Sequence, residues 1–372
     1  MRLAWVRIAA LADKELRHIM RDVRVLYLAL AMPLVMLLIF GFGVSFDVEH
    51  VPLAVVDLDD SQASRGVRRR LLSGERFDDG GSFGDVDGAL AAVVRGEAML
   101  VVAFERGFAR DLARGREPGV QLLIDGSDNS TATQARLWAE QSLVAAIKAV
   151  GRDGNVALPL EVRPFLQFNP SGRSAVFLVP GIAAYVLSLV AVLLTALTVA
   201  REWEEGSMLQ LFVTPVRHVE IVVGKLLPYL GLGLLAVLLV VAAGGLIFQV
   251  PFRGSPLALS MLALLFLVGM LGQGLLVSVL TKNQMVATQV ATMSSMLPSL
   301  LLSGFVFPIE SMPRVVQFVT YALPARYFVS GLRGVLLRGN GFAELWAEML
   351  CLLAFGTLVL ALAVLRFHRS RP

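Results

Sequence analysis

Cysteine is almost missing from this sequence. Cys351 stands alone among 372 residues, which excludes a disulfide framework and a thiolate metal cage. Histidine is nearly as scarce, and the four scattered residues His18, His50, His218 and His368 do not make a His-rich metal site. Charge is thin at 17%, while 56% of the residues are apolar and the mean hydropathy is +0.71. A soluble domain carries about 25% charge and roughly 45–50% apolar residues, so a fully water-soluble protein is excluded. Lysine is short too, at 4 against 29 arginines, a bias that carries no chemistry by itself.

What is abundant is uncharged length. Crossing about 30 Å of hydrocarbon at 1.5 Å per residue takes about 20 residues. Six stretches without Asp, Glu, Lys or Arg approach or exceed that length: 25–44, 174–200, 226–250, 255–280, 284–303 and 349–365. Backbone groups in lipid must pair within their own segment, so these predict six transmembrane helices. The apolar segment 315–325 has only eleven residues and contains Pro324, which suits a re-entrant or interfacial piece.

The remaining charge sets the orientation. Arg2, Arg7, Lys14, Arg17, Arg21 and Arg24 precede the first run, and Arg366, Arg369 and Arg371 follow the last. Both termini therefore read as cytoplasmic. The first run is too long for a signal-peptide core and no A-x-A site follows it, so it stays as an anchor. Residues 1–24 read as an amphipathic helix on the inner membrane surface, with Leu3, Val6, Ala10 and Leu11 against Arg7, Lys14, Arg17 and Arg21. The basic residues flank apolar runs and form no stripe with aromatics, so nucleic acid is not a partner.

Residues 46–172 form a different body, with 14 Lys/Arg against 19 Asp/Glu, where the rest of the chain carries 19 against 10. Short β-branched runs at 53–56, 99–103 and 120–124 alternate with helical patterns at 61–72, 86–94 and 130–150, predicting an extracytoplasmic α/β domain. The oxygen-rich segments Asp57-Leu58-Asp59-Asp60-Ser61 and Asp125-Gly126-Ser127-Asp128-Asn129-Ser130 raise calcium. Strand-to-helix turns use the same residues as helix caps, which is the favoured reading. Gly80-Gly81-Ser82-Phe83-Gly84 fits the letters of a nucleophile elbow. The polar Arg76-Phe77-Asp78-Asp79 before it makes a poor buried strand, and His218 and His368 fall across the membrane, so it reads as a Gly-rich turn.

The second run ends in Arg201-Glu202-Trp203-Glu204-Glu205-Gly206-Ser207-Met208-Leu209-Gln210-Leu211-Phe212-Val213-Thr214-Pro215, followed by Glu220 and Gly224-Lys225. Gly206 can end a membrane helix, Ser207 can cap a new one, and Pro215 can stop it after about two turns. Leu209, Leu211, Phe212 and Val213 give that short helix apolar anchors, and Glu202, Glu204 and Glu205 a charged rim, a pattern suited to a partner's groove. The series resembles the ABC-2 permease signature, in which R-E-x-E-x-G-[ST] precedes a short helix ending in T-P and G-K opens the next span. Phe168-Asn169-Pro170, Val179-Pro180-Gly181, Ser303-Gly304-Phe305-Val306-Phe307-Pro308-Ile309 and Met312-Pro313 are similar to further segments of that family. Gln210 departs from the acidic or similar polar residue often found there.

The resemblance implies an α-helical membrane fold of six spans: 25–45 as span one, 46–172 as the outer domain, 173–366 as spans two to six, and 367–372 as a cytoplasmic tail. Within it, 201–217 is a cytoplasmic coupling helix and 304–332 an outer re-entrant segment. It implies a transport subunit in a bacterial inner membrane with no catalytic site of its own, since Gly224-Lys225 lacks the rest of a phosphate loop. ATP and Mg then sit on a separate cytoplasmic ATPase, present in two copies, beside a second permease chain, identical or homologous. Membrane lipids surround the spans, and the outer domain is free to guide cargo or bind a periplasmic adaptor. ATPase coupling falls to Arg201, Glu202, Glu204, Glu205, Gly206, Ser207, Leu209, Gln210, Leu211, Phe212, Thr214 and Pro215.

Gln284, Thr288, Thr292, Ser295, Ser299 and Ser303 recur at three or four residues, one helix face. With Gln273 they border a translocation path or pack helices closely. No charged residue lies inside a run, which disfavours a proton-coupled transporter. Export of hydrophobic compounds or drugs is the implied activity; export of a polysaccharide or lipid-linked polymer, or a membrane-anchored sensor or scaffold, are the alternatives.

Overall fold

Where water is excluded, each backbone amide must find a carbonyl within its own segment, and long uncharged runs therefore become long helices. The structure, a computed structural model, describes residues 2–43, 50–74, 76–125, 129–153, 174–208 and 216–369. Its elements are α1 (Arg2–Arg21), α2 (Val23–Gly43), β1 (Val51–Asp57), α3 (Gln62–Leu72), β2 (Phe77–Phe83), α4 (Val86–Val94), β3 (Leu100–Phe104), α5 (Phe108–Ala113), β4 (Val120–Ile124), α6 (Asn129–Asp153), α7 (Ser174–Glu204), α8 (His218–Phe248), α9 (Pro256–Thr281), α10 (Gln284–Leu301), α11 (Arg314–Thr320), α12 (Pro324–Arg333) and α13 (Trp346–Arg369). They form two units, Ser45–Gly172 and the remainder.

In the helical unit, α2, α7, α8, α9 and α13 are long and apolar enough to cross a membrane. That makes five among the described residues, where uncharged length predicts six. The remaining run, 284–303, does fold as α10, but Gln284, Thr288, Gln289, Thr292, Ser294, Ser295 and Ser299 leave this 18-residue helix less apolar than the others. Charge-free length is a looser criterion than apolarity. Segment 315–325 divides into α11 and α12, the second opened by Pro324 in its first turn, where its missing N–H costs nothing.

α7 lies at the centre. Its apolar stretch is 89% buried, against 22% for α2 and for α13. The close approach comes from small residues: a Cβ on Gly274 of α9 would stand 2.2 Å from the Val192 carbonyl oxygen of α7. There Thr195 Oγ1 donates to the Leu271 carbonyl across the interface at 2.9 Å, a bond that only near-touching backbones allow.

The second unit holds a sheet of order β2-β1-β3-β4, with β1 parallel to β2 and β3, and β4 antiparallel to β3. β1 and β3 are covered on both faces, which explains their unbroken apolar runs. Leu53, Val55 and Val102 pack with α3 and α6 on one side, while Ala54, Val56 and Val101 meet Ala89 and Ala92 of α4 on the other. The Gly80-Gly81-Ser82-Phe83 segment is not a turn but most of the edge strand β2. Its pairing with β1 slips by a residue between Leu53 and Val55, and Gly81 takes φ +102°. A polar, glycine-rich strand survives only at an edge with a bulge. Ser82 Oγ accepts from Arg68 Nη1 at 3.2 Å.

Two carboxylates of the first acidic segment, Asp57 and Asp59, accept from backbone amides, and the third, Asp60, pairs with Arg65. Asp57 accepts from Asp59 and Asp60, and Ser61 caps α3. Asp59 reaches across to the amides of Gly107 (2.8 Å) and Ala109 (3.0 Å) and caps α5. Burial pushes its carboxyl up, but those amides and the Ser61 hydroxyl outweigh it and hold the group below the usual carboxylate range. Of the second acidic segment, residues 126–128 lie outside the described residues.

Glycines in the helical unit give a paired test. Gly274→Ala forces α7 and α9 apart and destabilises the detergent-solubilised protein by about 1–3 kcal/mol. Gly231→Ala in α8, where an added Cβ meets nothing within 4 Å, is neutral or stabilising by about 0.5–1 kcal/mol. Thermal denaturation of the two variants checks the order, and equal effects would contradict this packing.

Candidate functional site

α7 outlasts its apolar run by one turn, Arg201-Glu202-Trp203-Glu204. Gly206 then adopts φ +73°, with no atom within 4 Å of where a Cβ would stand. Glycine is needed there for its conformation and not for space. Ser207 Oγ donates back to the Glu202 carbonyl at 3.3 Å, so its hydroxyl satisfies the end of the old helix; the amides it would cap in a new helix, at 209 and 210, lie outside the described residues. Met208 follows, fully buried. Leu209, Gln210, Leu211, Phe212, Thr214 and Pro215 lie outside the described residues.

The motif's charges turn inward. Lys225 Nζ, 2% exposed, donates to Glu15 Oε1 of α1 at 2.8 Å and to Glu202 Oε2 of α7. Lys14 Nζ reaches the other Glu202 oxygen at 3.4 Å. Three helices therefore share one buried cation. Gly224 makes it possible, because a Cβ there would stand 2.8 Å from the Leu11 Cβ of α1. In this structure the glycine of the Gly-Lys pair lets α1 lie down on α8, and the lysine fastens it.

Further contacts extend the node. Arg7 approaches the buried Glu220 at 3.6 Å, and Arg201 approaches Asp22 at 3.4 Å. Burial pushes the Asp22 carboxyl up, but the amides of Arg24 and Val25 together with Arg201 hold it below the usual range. Glu204 accepts from the Gln284 amide at 2.9 Å and from Gln284 Nε2 at 2.5 Å, tying α7 to the start of α10. Lys282 sits over the Trp203 ring at 4.7 Å, and Trp203 packs on Phe367. Phe367, placed by the sequence in a tail, is helical and buried with Val199, Met208, Val222 and Leu275. Of the predicted acidic rim, Glu202 and Glu204 are thus hydrogen-bonded within the chain, while Glu204 and Glu205 are both exposed.

The hydroxyl face divides. Ser295 and Ser299 are buried with Ala287 and Ala291 on one side of α10, and Ser299 Oγ shares a 2.7 Å hydrogen bond with Ser188 of α7. Gln273 Nε2 donates to Ser294 Oγ at 3.2 Å. Gln273, Ser294 and Ser299 border a cavity of about 220 Å³. Thr288 and Thr292 are only partly buried and do not reach it; Thr288 Oγ1 donates to its own helix at Gln284. Among the described residues no group of three or more His, Cys, Asp or Glu is placed to hold a metal ion.

The node is an electrostatic junction of three helices, α1, α7 and α8. Residues 24–365 match the family described as "ABC-2 family transporter protein". The chain belongs to the ABC-2 transporter family. It is 35% identical to "Probable multidrug ABC transporter permease YbhS" of Escherichia coli (strain K12), over 99% of this chain and 98% of the relative. It is 26% identical to "Probable multidrug ABC transporter permease YbhR" of the same strain over 98% and 99%. With that strain's "Inner membrane transport permease YhhJ" it shares 29% identity over 97% and 96%.

In this ABC-2 permease, removing the shared cation exposes the node's cost. Lys225→Met leaves buried Glu15 and part-buried Glu202 with only the exposed Lys14, at 3.9 and 3.4 Å, as a counter-charge, and destabilises the protein by up to about 3–5 kcal/mol. Adding Glu15→Gln and Glu202→Gln recovers most of the loss. Thermal denaturation in detergent reads both, and a single variant as stable as wild type would contradict the assignment.

Proposed function

We propose that the chain is the membrane subunit of an ATP-driven exporter that moves hydrophobic compounds or drugs outward across a bacterial inner membrane. In this reading α10 joins the five apolar helices as a sixth span, both termini are cytoplasmic, and the Ser45–Gly172 unit is extracytoplasmic. The energy comes from a separate ATPase, two copies of which bind ATP and Mg, and a second permease chain completes the pore. The observation that carries the reading is the Lys225 node at the root of segment 207–215. A segment that leaves a rigid junction of α1, α7 and α8 passes a push to the spans instead of absorbing it.

The cargo class rests on the multidrug permeases named among the relatives. ATP closure of the partner dimer biases an inward-closed against an outward-open arrangement only if it contacts the two differently. Segment 207–215 is where that difference enters, with exposed Glu205 and the apolar Leu209, Leu211 and Phe212 as docking groups and Thr214-Pro215 as its end. Gln273, Thr288, Thr292, Ser295 and Ser299 border the translocation path, with Gln273 and Ser299 at the cavity between α9 and α10.

Glu205→Ala or Leu211→Ala lowers substrate-stimulated ATPase activity of the assembled transporter about fivefold or more, with the thermal stability of the permease unchanged. Wild-type stimulation in both variants would contradict the docking role.

A further inference from the structure

At the opposite end of α8 from Lys225, the helix carries Gly244 and Gly245 in its last two turns and stops at the left-handed Gln249. Val179 and Pro180 of α7, Leu332 of α12 and Leu336 of the π-helical turn Gly334–Arg338 face it. With Phe252 and Gly245 they enclose a cavity of about 230 Å³ whose lining is apolar throughout. A drug-sized ligand needs about 300 Å³ or more. The space therefore suits a length of alkyl chain better than a compact cargo.

Three arginines follow the lining residues in sequence. Arg253 comes after Phe252, and its backbone amide and Nη1 donate to the carbonyls of Leu336 (3.2 Å) and Leu337 (3.3 Å), which pins the loop after α8 to the π-helical turn. Arg333 comes after Leu332, lies 3.8 Å over the Phe177 ring and donates to the Gly304 carbonyl at 3.0 Å; its Nε is buried without a partner. Arg338 ends the turn. Among the described residues none of the three pairs with a carboxylate. The acids nearest in sequence are otherwise used: Glu344 accepts from the Gly341 amide and Glu348 from the Ser330 hydroxyl. Burial, and then the charge of Arg338, push Arg333 down to about 10. Arg253, Arg333 and Arg338 thus stand without a carboxylate partner among the described residues beside an apolar hole, and Leu246 and Leu257 nearby are 83% and 72% exposed.

We propose that this site holds one anionic phospholipid, an acyl chain in the cavity and the phosphate between Arg253 and Arg338. Guanidinium groups match phosphate oxygens in pairs, and the same chemistry that lets basic pockets between membrane helices on the cytoplasmic side take acidic headgroups applies to this outer one. The proposal rests on the reading that these helices cross a bilayer. It also gives a reason for arginines on the side where the positive-inside rule expects few.

The test uses the full chain, delipidated in detergent, titrated with phosphatidylglycerol, with phosphatidylcholine of the same chains, and with glycerol phosphate, and read by native mass spectrometry. Phosphatidylglycerol binds at least about tenfold tighter than phosphatidylcholine, and the double variant R253Q/R338Q removes the difference. Gly245→Leu weakens both lipids, since a Cβ at 245 meets only the Val250 carbonyl, at 3.7 Å, and the side chain enters the hole. Equal binding of the two lipids by wild type, no effect of either variant, or glycerol phosphate binding as tightly as the lipid would each overturn the proposal. Absence of substrate-stimulated ATPase activity in the wild-type assembly would count against the exporter reading alone and leave these binding ratios unmoved.

Discussion

A lysine ammonium buried to 2% exposure is the constraint from which the rest of the helical unit follows. Taking such a charge out of water costs several kcal/mol and is offset only when counter-charges are held at hydrogen-bond distance. Glu15 and Glu202 supply them, and each belongs to a different helix. If α1 lifts, or the end of α7 turns, Lys225 loses one of its two carboxylates and the remaining one alone offsets the cost of burial. Electrostatics fixes three helix ends relative to one another more firmly than apolar contact would, because apolar surfaces slide and a shared cation does not.

The packing farther along the bundle extends that rigidity. Gly274 brings α9 onto α7 backbone to backbone, Ser188 and Ser299 bind α10 to α7, and Glu204 holds the start of α10 to the end of α7. A displacement imposed at residue 207 reaches the core helix directly, since Ser207 and Met208 are hydrogen-bonded and packed into the same junction. The α/β unit rests on separate physics, a sheet buried on both faces with its loops closed by Asp57, Asp59 and Ser61.

Much of this was legible in the residues. Uncharged length located the long helices, and β-branched runs located β1, β3 and β4. The boundaries failed where charge is paired: α7 and α8 run on through Arg201, Glu202, Glu220 and Lys225, so absence of charge marks the greasy part of a helix and not its end. β2 was missed because a bulged edge strand of Asp78, Asp79, Gly80 and Gly81 looks like a turn. The R-E-x-E motif was visible, but not the direction in which its acids point, because the partner of Glu202 lies beyond Gly206 in the next helix and the second acid on Lys225 lies 210 residues away in α1. A signal was present: one of only four lysines sits beside a glycine at the head of an apolar helix, where an unpaired charge is not tolerated.

The central claim is that α1 and the heads of α7 and α8 move as one body. Pulsed electron resonance between spin labels at the exposed positions Ala9 and Val219, in a Cys351→Ser background, tests it in the assembled transporter with and without ATP. One narrow distance that is the same in both states, and that broadens when Lys225 is replaced by Met, is the predicted result. A wild-type distance that shifts or broadens on adding ATP, with no further change in the Met variant, would contradict it.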